Sequence, residues 1–225
     1  AALAVSVAFG EAHLSAAQLW QGLTDPASPP GEVLWGIRAP RACAAALVGA
    51  ALGMSGAVMQ GLLRNPLADP GVLGVSATGG LGAALAIAFG LGTASGAVEG
   101  AALVGALAGG AAIAVLAARF QEPEALVLFG VALAAFATAA TNLVFNFSPS
   151  PVATADIMAW LLGSVENRDW PALVWAAAPM ALGAGLSAYC ARGLTVMTLG
   201  EETAAVSGLP MARMRTLAVV GAALM

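Results

Sequence analysis

Of the 225 residues, 60% are hydrophobic and 9% are charged, against roughly a quarter charged in soluble domains. That leaves too little charge to solvate a water-soluble fold of this size, and the mean hydropathy is +0.89. The net charge of −4 includes no basic patch, which argues against nucleic acid as a partner.

All eight cationic residues are arginine. Without lysine the chain cannot complete a G-x-x-x-x-G-K-[ST] phosphate loop or form a Schiff base. The two cysteines, Cys43 and Cys190, sit near the ends of separate apolar runs. Their spacing suggests neither a metal site nor a disulfide framework, and they read as small apolar side chains.

Taken in order, residues 1–10 are apolar but too short to span a bilayer, and no basic region precedes them, so they do not read as a signal peptide. They are expected to be the outer end of a partial first span, and both ends of the chain read as truncations. Residues 11–37 form a connector with strong turn signals at Asp25-Pro26 and Pro29-Pro30-Gly31. A short surface helix is expected near 15–23, with Trp20 and Trp35 as interfacial anchors and His13 solvated.

The next apolar run, 42–63, has about the ~20 residues that cross ~30 Å of hydrocarbon as a helix. Gly49 and Gly53 give it a GxxxG notch for close helix approach. A proline-bracketed turn follows, Asn65-Pro66-Leu67-Ala68-Asp69-Pro70, whose residue types fit a rigid reversal.

Further spans are expected at 72–90, 100–118, 125–145 and 171–190, with a partial one at 216–225. Gly105 and Gly109 repeat the GxxxG notch. Thr138, Thr141 and Asn142 interrupt the 125–145 run. They are candidates for lining a passage, or for hydrogen bonding a neighbouring helix. Between 146 and 170 a short helix is expected over 153–162, closed by Gly163.

If every run spans, one side holds Arg38, Arg41 and Arg168, and the other holds Arg64, Arg119, Arg192, Arg213 and Arg215. The positive-inside rule puts the second group in the cytoplasm. On that side, Thr198-Leu199-Gly200-Glu201 fits a capping box, with Thr198 as N-cap. A short helix would run from Leu199 to Ser207, with Glu201 and Glu202 in its first turn and Leu199, Thr203 and Val206 on one face. Gly208 would then be the left-handed residue after it, and Pro210 would open the next helix. The segment 198–210 is either an ordinary interfacial helix or a rigid knob for a soluble partner to grip.

These pieces together closely resemble the FecCD/BtuC-type permeases, the membrane subunits of ABC importers for iron–siderophore complexes, haem and vitamin B12. The matching stretches are Arg38-Ala39-Pro40-Arg41, Met54-Ser55-Gly56 with Met59-Gln60, Asn65–Pro70, and Gly74-Val75-Ser76. Gly130-Val131-Ala132-Leu133, Trp160–Ser164, Leu199–Glu202 and Gly208-Leu209-Pro210 follow in order.

The resemblance implies an all-α, BtuC-like (type II ABC importer) permease fold in one transmembrane domain. About five complete and two partial spans of a ten-span bundle would be present. It implies a bacterial plasma membrane location, a second permease subunit (identical or related), two cytoplasmic ATPase subunits and an extracytoplasmic binding protein. ATP and magnesium would be bound by the ATPases, and this chain would hold no cofactor or metal and carry no catalysis of its own.

Under the same resemblance, Arg38 and Arg41 match positions where glutamates of the binding protein dock. Thr198, Leu199, Gly200, Glu201, Glu202, Val206 and Gly208 correspond to the element that couples to the ATPase. The expected cargo is an iron–siderophore complex, with haem or cobalamin as the alternative. An ion-coupled secondary transporter is disfavoured because the expected inner spans hold no Asp, Glu, His or Arg. An intramembrane enzyme would need a nucleophile–base pair or metal cluster that one histidine and two separated cysteines cannot supply.

Overall fold

The computed structural model describes residues 2–10, 12–94, 96–119, 123–148, 150–166, 168–198, 200 and 208–225. The described residues are helical and connect through short turns. They form two compact units, Ala1–Ala51 with Ser164–Pro179, and Leu52–Gly163 with Met180–Met225. Two helices, Ala39–Leu63 and Trp170–Thr198, contribute residues to each.

The first unit contains α1 (Ala2–Ala8) and α2 (Ala16–Thr24). Helix α2 opens on a complete capping box: Gln18 N donates to Ser15 Oγ at 3.3 Å, and Ser15 N donates to Gln18 Oε1 at 2.8 Å. That reciprocal pair satisfies two amides a helix start leaves open.

A single turn, α3 (Pro29–Gly31), is capped by Ser28 and leads into a π-helical segment, Glu32–Arg38, and then into α4 (Ala39–Leu63). A π segment turns side chains out of α register, a device found often at functional positions. Here it carries Trp35 and Arg38. The indole of Trp35 donates to Gly22 O at 3.1 Å, and the indole of Trp170 donates to Trp35 O at 2.8 Å. Asp169 caps α9 (Trp170–Thr198) by accepting from Ala172 N at 2.9 Å.

The second unit is built around α5 (Val75–Ala88). Its approach is a 3₁₀ turn, Pro70–Leu73, and Gly74 between them has φ 72°, the left-handed conformation open to glycine at little cost. Helix α6 (Ala97–Arg119) packs along α5 with backbones in close approach. A side chain at Gly105 would run into the carbonyl of Thr78, and one at Gly82 into that of Ala101.

Helix α7 (Pro123–Asn146) packs on α5 and the 3₁₀ turn, α8 (Pro151–Leu162) packs on α5, and α10 (Met211–Ala223) packs on α6. Interdigitated small residues of this kind are how helices associate when lipid removes the hydrophobic drive. Met59, Leu73, Ile113, Leu126 and Val219 fill one core; Ala83, Ala84 and Ile157 fill a second. Cys190 is buried in the first of these, its thiol directed at Met214 O at 3.5 Å, and Cys43 is exposed.

Four described helical runs are long and apolar enough to cross a membrane: Pro29–Leu63, Ala97–Leu116, Ala125–Asn146 and Trp170–Thr198. The architecture is thus an all-helical, polytopic membrane fold. The run expected to span 72–90 differs. The left-handed Gly74 interrupts it near its start, and only the 14 residues Val75–Ala88 are α-helical. Such a broken element is tolerated because protein rather than lipid surrounds it. Helix α9 outruns its expected end near 190 and continues to Thr198 with Pro179 inside it. Helix α10 starts at Met211, directly after Pro210, rather than near 216.

Candidate functional site

Four loci carry the candidate residues. The first is the pair of arginines at the start of α4. Arg38 is 8% exposed. Its guanidinium donates to Val7 O at 3.0 Å, to Ala8 O at 2.9 Å and to Ala12 O. These carbonyls lie at and beyond the C-terminal end of α1, where the helix dipole favours a cation and the last carbonyls lack intrahelical donors. Arg38 therefore closes α1.

Arg41, one turn on, is exposed, and its Nε donates to Glu166 O at 3.1 Å. That is its single hydrogen bond among the described residues. The two arginines expected to act as a pair stand in different environments. Arg41 and the Trp170–Trp35 bond also hold the 164–170 segment beside the start of α4.

The second locus is the turn after α4. Arg64 adopts φ 49°, the left-handed position that ends a helix, and Asn65 N donates back to Gln60 O at 3.2 Å. Two Asx turns follow: Asn65 Oδ1 accepts from Leu67 N at 2.9 Å, and Asp69 Oδ1 accepts from Gly71 N at 2.7 Å. Pro66 and Pro70 fix φ on either side. Ala68 is buried in the core while Leu67 is 86% exposed. The turn is pinned by its alanine and displays its leucine.

The third locus, the segment expected to couple to an ATPase, begins at the end of α9. Thr198 is the last residue of α9 and its Oγ1 donates to Thr195 O at 2.7 Å; the helix it was expected to cap lies outside the described residues. No proline falls between 191 and 197, and α9 continues through Gly193 to Thr198. Gly200 has φ 114° and Gly208 has φ 72°. Leu199, Glu201, Glu202 and Val206 lie outside the described residues.

The fourth locus is α7. Thr138 and Asn142 are exposed one turn apart, on the same side of the helix, and Asn146 Nδ2 donates to Asn142 O at 2.7 Å. Thr141 is buried and donates to Ala137 O at 2.8 Å within its own helix. Sequence reasoning grouped three polar residues; the helical register separates Thr141 from the other two.

A feature missed from sequence is a groove of about 430 Å³ between α4 and α9 in the second unit, lined by Met54, Ala57, Val58, Ser187, Leu194 and Thr195 among others. Ser187 is 3% exposed and its hydroxyl has no hydrogen-bond partner among the described residues. The only signal was a serine in a glycine- and alanine-rich run. Among the described residues, no group of three His, Cys, Asp or Glu could hold a metal ion.

The profile of the FecCD transport family matches residues 1–225. A vitamin B12 import system permease protein BtuC of Salmonella paratyphi A is 36% identical over 224 residues, covering 92% of this chain and 64% of the relative. The protein of the same description from Escherichia coli O127:H6 is 38% identical over 213 residues, covering 88% of this chain and 61% of the relative. The chain thus spans less than two thirds of these curated relatives. A solved structure of an inward-facing ABC transporter, described as being of metal-chelate type, superposes with a TM-score of 0.85 at 28% identity. The match covers 99% of this chain and 68% of that one.

Proposed function

The chain belongs to the FecCD transport family, and from that premise we propose that it is the membrane-spanning permease subunit of an ABC importer in the bacterial plasma membrane. The observation that carries the reading is the coincidence of two matches. The family profile covers residues 1–225, and the polytopic helical fold superposes at a TM-score of 0.85 on a transporter described as being of metal-chelate type. ATP hydrolysis belongs to separate subunits in this reading. The chain contributes the passage, an outward docking face and an inward coupling face.

Within that proposal the arginines divide the work. Arg41 presents a charged fork to acidic side chains of an extracytoplasmic binding protein, and Arg38 holds the scaffold beside it. Segment 198–210, with Glu201 and Glu202, contacts the ATPase. Thr138 and Asn142 offer hydrogen-bonding groups along a largely apolar face of α7, suited to a bulky chelate that must be passed on and not held. A second permease subunit, identical or related, completes the passage.

The cargo is a metal chelate. The named relatives are vitamin B12 permeases, which favours the cobalamin alternative over the iron–siderophore expectation. The deciding experiment is uptake by the permease assembled with its ATPase and binding protein, with labelled cobalamin and ferric siderophore in parallel. Replacing Glu201 and Glu202 together with alanine should abolish ATP-dependent uptake of whichever is carried, or loosen the ATPase. Normal uptake with normal ATPase association in that variant would refute the coupling assignment.

A further inference from the structure

We propose that α2 lies in the outer headgroup layer of the bilayer and is a lipid-contacting anchor, with Trp20 and Leu23 reaching toward the acyl chains. The inference does not depend on the importer reading or its cargo. It rests on the pattern of α2, its attachment and its depth.

At 100° per residue, Leu19, Trp20 and Leu23 fall on one side of α2, and Gln18 and Gln21 fall on the other. The separation of apolar from polar sides is stronger in α2 than in any of α4 to α10. Trp20 is 70% exposed and Leu23 53%, so the apolar side is not spent on packing within the unit. Residues 12–24 contain no Asp, Glu, Lys or Arg.

A helix with one apolar and one uncharged polar side, bearing tryptophan, has the chemistry of the membrane boundary. There the ring is buried and the indole stays near water. An interface with a soluble protein would ordinarily offer a charged or polar rim, which this side lacks.

The attachment fixes its height. Gly22 is buried, and a side chain there would meet Leu34 Cδ1 at 2.7 Å and the backbone of Pro30 at 2.9 Å. The Trp35 indole holds Gly22 O. Helix α2 is thereby fastened at the level of Leu34 and Trp35 on the continuous run Pro29–Leu63. That run has 35 residues, more than the ~20 that hydrocarbon takes up, so its N-terminal end, with Trp35 and the attached α2, stands in the headgroup layer.

The test compares the protein with its Trp20→Phe variant, reconstituted in phosphatidylcholine bilayers brominated either high or low on the acyl chain. The difference in emission reports Trp20. Shallow bromines should dim that difference about twofold or more relative to deep ones, as for interfacial tryptophan, with aqueous iodide having little effect. A Leu23→Trp variant of the otherwise unchanged chain adds a second reporter on the same side, with the same expected pattern. It keeps the test open if Trp20→Phe fails to fold. Ready quenching by iodide with none by brominated lipid would overturn the proposal. So would protection from iodide that appears only when a binding protein is added.

Discussion

Replacing Arg38 by methionine should release the first dozen residues while leaving the rest of the fold in place. The side chain keeps its apolar stem but loses the guanidinium, so Val7 O, Ala8 O and Ala12 O lose their donor. Hydrogen bonds to a charged group contribute about 1.5–3 kcal/mol each. The freed carbonyls lie near the end of a short helix and regain water, so the three together should cost about 3 kcal/mol, not their sum. At 1.4 kcal/mol per tenfold, local opening of residues 2–12 should become roughly a hundredfold more frequent.

Hydrogen–deuterium exchange of the protein in bilayer discs reads this directly, as faster exchange confined to α1 and the residues just after it. Arg41→Met, which removes one exposed bond to Glu166 O, should change exchange there by an amount within about 1 kcal/mol. Arg41→Glu should instead weaken binding-protein affinity at low salt. Equal exchange in the wild-type and Arg38→Met proteins, or equal acceleration by both methionine variants, would refute the division of roles between the two arginines.

Gly74→Ala should destabilise the second unit by about 2–4 kcal/mol, because it combines a left-handed backbone with a clash. The added methyl would sit 2.8 Å from Ala134 N and Gly130 O at φ 72°; thermal unfolding in detergent reports the loss, and an unchanged midpoint would count against this packing. Gly105→Ala drives a methyl into the Thr78 carbonyl and should separate α5 from α6, seen as lost crosslinking between cysteines placed on their facing sides. Thr141→Val removes only an intrahelical bond and should change stability by about 1 kcal/mol or less with transport unaltered. Asn142→Leu on the exposed side should change the uptake rate with stability intact.

The apolar runs were legible because hydrocarbon thickness dictates their length, and 42–63 and 125–145 fall within α4 and α7. Local chemistry was legible too. The short helix expected near 15–23 is α2, and Gly163 follows the last residue of α8 as expected. What sequence reasoning could not supply is long-range. The partners of Arg38 lie 26 to 31 residues earlier in the chain, and no local pattern reveals that a cation is committed to them. Thr138, Thr141 and Asn142 looked equivalent because polarity in a span is visible while the buried side of its helix is not. Helix α9 outlasts its expected end near 190 and runs to Thr198, since a helix already packed and running costs less to prolong than a new one costs to nucleate.

The shortness of α5 bears on how the protein is made. Its 14 helical residues rise only about 21 Å, well under the ~30 Å that a lone segment must cover. A translocation channel that samples segments one at a time has no stable transmembrane state to offer α5 by itself. It must wait until α6 emerges, because the notches at Gly82 and Gly105 supply the surface that replaces lipid. Biogenesis should therefore release these two helices together, as a hairpin, and mutations that spoil their fit should appear first as insertion defects in the cell.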